Sequence, residues 1–166
     1  MGKIIFLDID GVLATNAEFY RVRRKFWDKY DTANNLRIPY PFNDKCVEIF
    51  NEILEKTGAE IVLSSDWRLH WNLDELRQIF EFNKVNKYPL DITEELDSNL
   101  YITLEEERSA QIEKYLKTHE IENYVIIDDL NMKPNLMDDS HFVMTRCSEG
   151  LKQSNAKEKI IKILNK

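Results

Sequence analysis

Ile4-Ile5-Phe6-Leu7, Ile61-Val62-Leu63 and Tyr124-Val125-Ile126-Ile127 are short unbroken apolar runs. Each stops abruptly at polar residues: Asp8, Ser64-Ser65 and Asp128-Asp129. Runs of this length without polar alternation suit strands covered on both faces, as in a parallel sheet. Between them the apolar positions shift to helical spacing. The clearest helix spans Asp44 to Lys56, with Val47, Ile49, Phe50, Ile53 and Leu54 on one face and Gly58 as its stop. Leu73 to Phe80 predicts a second helix. Thr103, three residues before Glu106, has capping-box spacing and opens a third, which carries Ala110, Ile112, Tyr115 and Leu116 on one side. Ile160, Ile161, Ile163 and Leu164 mark a last helix after Ser154. His141 to Met144 predicts a further strand, and Val85 to Ile92 reads as strand or loop. Buried strands alternating with helices predict an α/β domain with a mostly parallel, Rossmann-like sheet, whose ligands bind beyond the carboxyl ends of the strands. The acids lie at that edge.

Length and composition narrow the picture. At 166 residues the chain fits one domain with a real core, and no repeat, low-complexity tract or linker divides it. The 43% hydrophobic and 32% charged content, with 4 Gly and 4 Pro, is that of an ordinary globular protein. A net charge of −7 argues against wholesale coating of a polyanion, although a local basic groove stays open. Two cysteines, Cys46 and Cys147, are too few for a disulfide framework. Lys3 and Asp8 enclose too short an apolar run for a secretory signal, and nothing approaches a membrane span, so a cytoplasmic location is expected. No membrane or protein partner is indicated. His70, His119 and His141 have no metal-ligand spacing.

Asp8-Ile9-Asp10-Gly11-Val12-Leu13 carries the strongest chemical signal. Two carboxylates two residues apart after a buried strand can converge on one small site while Gly11 allows a tight turn. Oxygen-only ligation suits a hard cation such as Mg²⁺. A lone Asp-x-Asp more often caps a helix or solvates a loop. The second acidic pair, Asp128-Asp129, at another strand end reverses that balance, because four clustered carboxylates repel one another without a cation.

Asp8 to Leu13 matches the first motif of the HAD (haloacid-dehalogenase-like) superfamily, Asp-x-Asp-Gly-x-[Thr/Val]-Leu, and the chain resembles that superfamily. The resemblance implies an Mg²⁺-dependent phosphohydrolase with Asp8 as nucleophile and Asp10 as general acid and base. It implies that Ser64 hydrogen-bonds the transferring phosphoryl group, with the adjacent Ser65 able to exchange roles or to cap the next helix. The Ser64-Ser65-Asp66-Trp67-Arg68 segment resembles a small HAD branch of bacterial and phage proteins, including HAD domains attached to Swiss-army-knife-type RNA repair proteins. In that light Arg68 is a candidate phosphate fork rather than a surface partner of Asp66 or Asp74, while Trp67 and Trp71 read as packing aromatics. The family's third-motif cation is normally Lys. Here Arg108 stands nearest the start of the relevant helix, ahead of Lys114 and well beyond Lys84, with a structural salt bridge as its bland alternative. The metal set implied is Asp8, Asp10, Asp128 and Asp129, with Asp128 direct and Asp129 supporting, or the reverse.

Residues 14–43 and 82–104 are the weakest parts of the match and the expected place for substrate choice. Neither is long enough for a large cap domain, which leaves minimal or no cap and an open site for a bulky or polymeric phosphate. Within the first, residues 19–30 interleave basic and aromatic side chains, including Arg23 and Arg24, and read as an amphipathic helix or a nucleic-acid contact. The expected activity is phosphate-monoester hydrolysis on a phosphorylated small molecule, a nucleotide or a nucleic-acid phosphate end. A catalytically weak binding or regulatory module and a phosphotransferase are the alternatives.

Overall fold

The computed structural model describes residues 2–18, 30, 31 and 36–166. Its centre is a five-stranded sheet built from β1 (Lys3–Leu7), β4 (Glu60–Leu63), β5 (Pro89–Ile92), β6 (Asn123–Asp128) and β7 (Phe142–Met144). The order is β5-β4-β1-β6-β7 and every pairing is parallel. A separate two-residue pairing joins β2 (Tyr30–Asp31) to β3 (Arg37–Ile38). Helices α1 (Asp44–Thr57), α2 (Leu73–Phe82), α3 (Leu104–Thr118) and α4 (Ala156–Leu164) complete the α/β, Rossmann-like architecture that the apolar runs predict.

The ambiguous stretch before Thr93 resolves into the edge strand β5, so this part of residues 82–104 belongs to the core sheet rather than to an insertion. The predicted last strand begins at Phe142, because His141 closes a short 3-10 turn. Residues 19–29 of the basic aromatic segment, with Arg23 and Arg24, lie outside the described residues. Among the described residues no helix is long and apolar enough to cross a membrane.

Side-chain alternation on β1 sorts the core into two layers. Ile5 and Leu7 pack with Phe50, Ile53, Ile79 and Ile160 of α1, α2 and α4, whereas Ile4 and Phe6 face Ile112 and Tyr115 of α3. Capping sets where the helices begin. Asn43 accepts from the backbone of Lys45 and Cys46 to start α1, Asn72 and Glu75 form a capping box on α2, and Thr103 and Glu106 form the one predicted on α3.

Register then aligns the chemistry. Leu7 is level with Leu63 on one side and with Ile127 on the other, so Asp8, Ser64 and Asp128 emerge side by side. The alternation that turns Phe6, Val62 and Ile126 toward α3 turns these three the same way. The sheet leaves β1 for β4 and β5 and then crosses back to β6, making β1 the topological switch point where such folds bind ligands.

Phe6 holds this layer together by edge-to-face contacts with Tyr115 and Tyr124, at centroid distances of 5.5 and 6.1 Å. Phe6→Ala is expected to lower the unfolding free energy by about 3–5 kcal/mol, measured by urea denaturation. A loss below about 1 kcal/mol is the result that contradicts this packing.

Candidate active site

Arg108, on the second turn of α3, is buried at 3% exposure and reaches three carboxylates. Its Nη1 lies 3.1 Å from Asp8 Oδ2 and 3.0 Å from Asp128 Oδ2, and its Nη2 lies 2.7 Å from Asp66 Oδ1. The guanidinium thus joins α3 to the ends of β1 and β6 and to the turn after β4. The other two candidate cations go elsewhere: Lys114 pairs with Glu94, and Lys84 sits in a turn beside Asn51. The ion pairs of Arg108 run inward, to the ends of β1 and β6 and to the turn after β4.

Asp8, Asp128 and Asp129 each offer a carboxylate oxygen within 4.8 Å of the others. Asp10 stands outside that group. Its Oδ1 accepts from Tyr40 Oη at 2.7 Å, and Trp67 Nε1 donates to both its oxygens at 3.1 Å. Gly11 adopts φ +73°, and a Cβ there would lie 2.3 Å from Asp129 Cγ, so the close approach of Asp129 depends on glycine at this turn. Thr145 braces the same turn by donating to the Gly11 carbonyl at 2.8 Å.

Ser64, Ser65 and Arg68 follow β4 into a short 3-10 turn, Asp66–Leu69. Among the described residues Ser64 Oγ is buried with no hydrogen-bond partner, a costly state for a hydroxyl unless a ligand completes it. Ser65 caps the turn and hydrogen-bonds the Asp8 carboxylate. Arg68 donates from Nη1 to the Ser65 carbonyl at 2.8 Å and from Nη2 to Gln111 Oε1 at 2.5 Å, leaving its Nε buried and unpartnered. Of the two acids near it in sequence, Asp66 pairs with Arg108 and Asp74 with Arg77. Trp67 packs in the core as expected and also serves Asp10.

Asp66, Trp67, Gln111 and Tyr40 were not marked as site residues by pattern. Gln111 had a usable signal, because it stands one turn beyond Arg108 on the same helical face. Tyr40 had none.

The electrostatics follow from burial. Desolvation pushes the Asp8 carboxyl well above the ordinary carboxylate range, with Asp128 adding to it, and the attraction of Arg108 does not offset these. Burial moves Asp128 from 3.8 to about 6 despite Arg108, and it raises Asp10 and Asp129 as well. Three carboxylates of raised pKa, two buried and one half-buried, around one buried guanidinium leave an excess of negative charge. An oxygen-only donor set of that charge fits a hard divalent cation, so Asp8, Asp128 and Asp129 are the residues able to hold one.

Residues 4–156 match a family described as the HAD domain in Swiss Army Knife RNA repair proteins. Comparison with curated proteins finds no significant match.

Asp128 gives a pH test. Its folded pKa lies above the unfolded value, so its stabilising contribution is complete below about pH 4 and is lost as pH rises through about 6. Without divalent metal, the melting temperature of the wild type is expected to fall from pH 5 to pH 7.5 by more than that of Asp128→Asn. Parallel melting profiles for the two proteins contradict the raised pKa.

Proposed function

The chain belongs to the HAD domains of Swiss Army Knife RNA repair proteins, a family of phosphatase and hydrolase type, and on that premise we propose that it hydrolyses phosphate monoesters through a phosphorylated Asp8. The observation that carries this reading is the convergence of Asp8, Asp128 and Asp129 within 4.8 Å beside Arg108. Mg²⁺ held by these three carboxylates would keep Asp8 ionised and offset the charge of the phosphoryl group.

The side chains then divide the work. A carboxylate oxygen of Asp8 bonds to phosphorus as the ester P–O bond breaks, and the departing oxygen takes the proton of Asp10. In the second half Asp10, now a carboxylate, accepts a proton from water as the water oxygen bonds to phosphorus and Asp8 departs. Inorganic phosphate and the starting enzyme result. The raised pKa of Asp10 suits a group that must carry a proton in the first half. Arg108 fixes the Asp8 carboxylate through Nη1. Ser64 Oγ, buried and unpartnered among the described residues, donates to a phosphoryl oxygen, and the Nε of Arg68, likewise without a partner among them, is a donor for substrate. The family description supports nucleotides or nucleic-acid phosphate ends as substrates.

Purified protein with Mg²⁺ is expected to release phosphate from an aryl phosphate. Asp8→Asn should lower the rate on the order of a thousandfold or more, and chelation followed by added Mg²⁺ should abolish and restore it. Wild type and Asp8→Asn with equal background rates, on that reagent and on nucleotides and phosphorylated oligonucleotides, would remove the enzymatic reading. A 3′-phosphorylated oligonucleotide is expected to react far faster than a mononucleotide. Equal rates would remove the nucleic-acid preference.

A further inference from the structure

Two donors around Asp10 have no part in the steps above, yet they decide how that carboxyl presents its proton. Among the described residues Tyr40 Oη and Trp67 Nε1 both reach Asp10 Oδ1, at 2.7 and 3.1 Å, while Oδ2 receives only a share of the indole hydrogen, at 3.1 Å. The indole is fixed by its neighbours. Trp67 is 3% exposed and packs against Tyr40 and Phe42 at centroid distances of 5.7 Å and against Trp71 at 4.9 Å. An indole N–H can only donate, and it is shared by both oxygens, so the Tyr40 hydroxyl donating to Oδ1 is what distinguishes them. A proton on Oδ2 keeps that donated bond, whereas a proton on Oδ1 would require the phenol to turn and accept.

We propose that Tyr40 and Trp67 are positioning residues that hold Asp10 with its proton on Oδ2, the oxygen that delivers it to the leaving group. The inference rests on Asp10 acting as the acid in the proposed hydrolysis. The Oδ2–H bond breaks as the proton passes to the departing ester oxygen, and Oδ2 regains a proton from water in the second half. Tyr40 enters the site from residues 14–43, so this stretch contributes to the chemistry as well as to any choice of substrate. Without the clamp the carboxyl turns freely, and the proton is no longer aimed at the leaving oxygen.

The test is the dependence of kcat/KM on leaving-group basicity, because a well-placed acid matters most to a leaving group that departs poorly on its own. Wild type, Tyr40→Phe and Asp10→Asn are assayed with Mg²⁺ on aryl phosphates from 2,4-dinitrophenyl to phenyl phosphate. Tyr40→Phe is expected to lose about tenfold on phenyl phosphate, the rate equivalent of one hydrogen bond, and much less on the dinitrophenyl ester. Asp10→Asn should show the same trend more steeply, at about 10²–10⁴-fold on the poor leaving group. Trp67→Phe, which removes the other donor, is a second arm with the same expected steepening, and a thermal melt accompanies each variant. A uniform loss along the series in both Tyr40→Phe and Trp67→Phe, or none, overturns the positioning role while a steep Asp10→Asn series leaves the acid in place. A flat Asp10→Asn series instead removes the acid assignment and this proposal with it.

Discussion

The buried guanidinium of Arg108 is the constraint around which the carboxyl edge of the sheet is arranged. A charge at 3% exposure is tolerable only when it is paired and its hydrogen bonds are met. Arg108 is paired with Asp8, Asp128 and Asp66, which come from the end of β1, the end of β6 and the turn after β4, while its Nε is buried without a partner among the described residues. The side chain thereby fixes α3 against three parts of the chain that are far apart in sequence. The arrangement uses the geometry of arginine. Its planar fork presents separate N–H groups, so Nη1 serves two acids while Nη2 serves a third, whereas an ammonium is a compact point charge.

Much of this was legible before any coordinates. The runs at Ile4–Leu7, Ile61–Leu63 and Tyr124–Ile127 announce strands because a parallel sheet covered on both faces tolerates no polar alternation. The acids that terminate them mark the ligand-binding edge for the same reason. Arg108 was harder, since three cations competed and only the packing of α3 on Phe6 decides which of them meets Asp8. Asp10 was placed by its motif among the metal acids, but the two residues that hold its carboxyl lie 30 and 57 positions away. Trp67 was legible as a core aromatic and not as a donor, because burial hides the polar end of an indole from any periodicity argument. Tyr40 lies where the pattern is weakest.

The turn Ser64-Ser65-Asp66-Trp67-Arg68 shows how a short segment serves several demands at once. Ser65 caps it, Asp66 engages Arg108, Trp67 engages Asp10, and Arg68 engages Gln111. Consecutive residues of a 3-10 turn point in different directions, so one turn after β4 reaches α3 on one side and Asp10 on the other. The Asp8 side and the Asp10 side of the site are therefore referenced to the same five residues. A shift of this turn moves both together, which preserves their relative placement better than two independent loops would.

The same geometry explains why two of the acids are held so differently. Asp8 is enclosed by charges: Arg108 on one side, Asp128 and Asp129 on the other, with Ser65 as its hydroxyl donor. Asp10, two residues on, is enclosed by neutral donors from aromatic side chains. Of these charged neighbours Arg108 favours the ionised form of Asp8, while Asp128 opposes it. Neutral donors satisfy an oxygen without adding positive charge, and burial then raises the carboxyl toward its protonated form. Burial raises both carboxyls, and what differs between them is the partners the fold sets beside each: charged groups at Asp8, aromatic donors at Asp10.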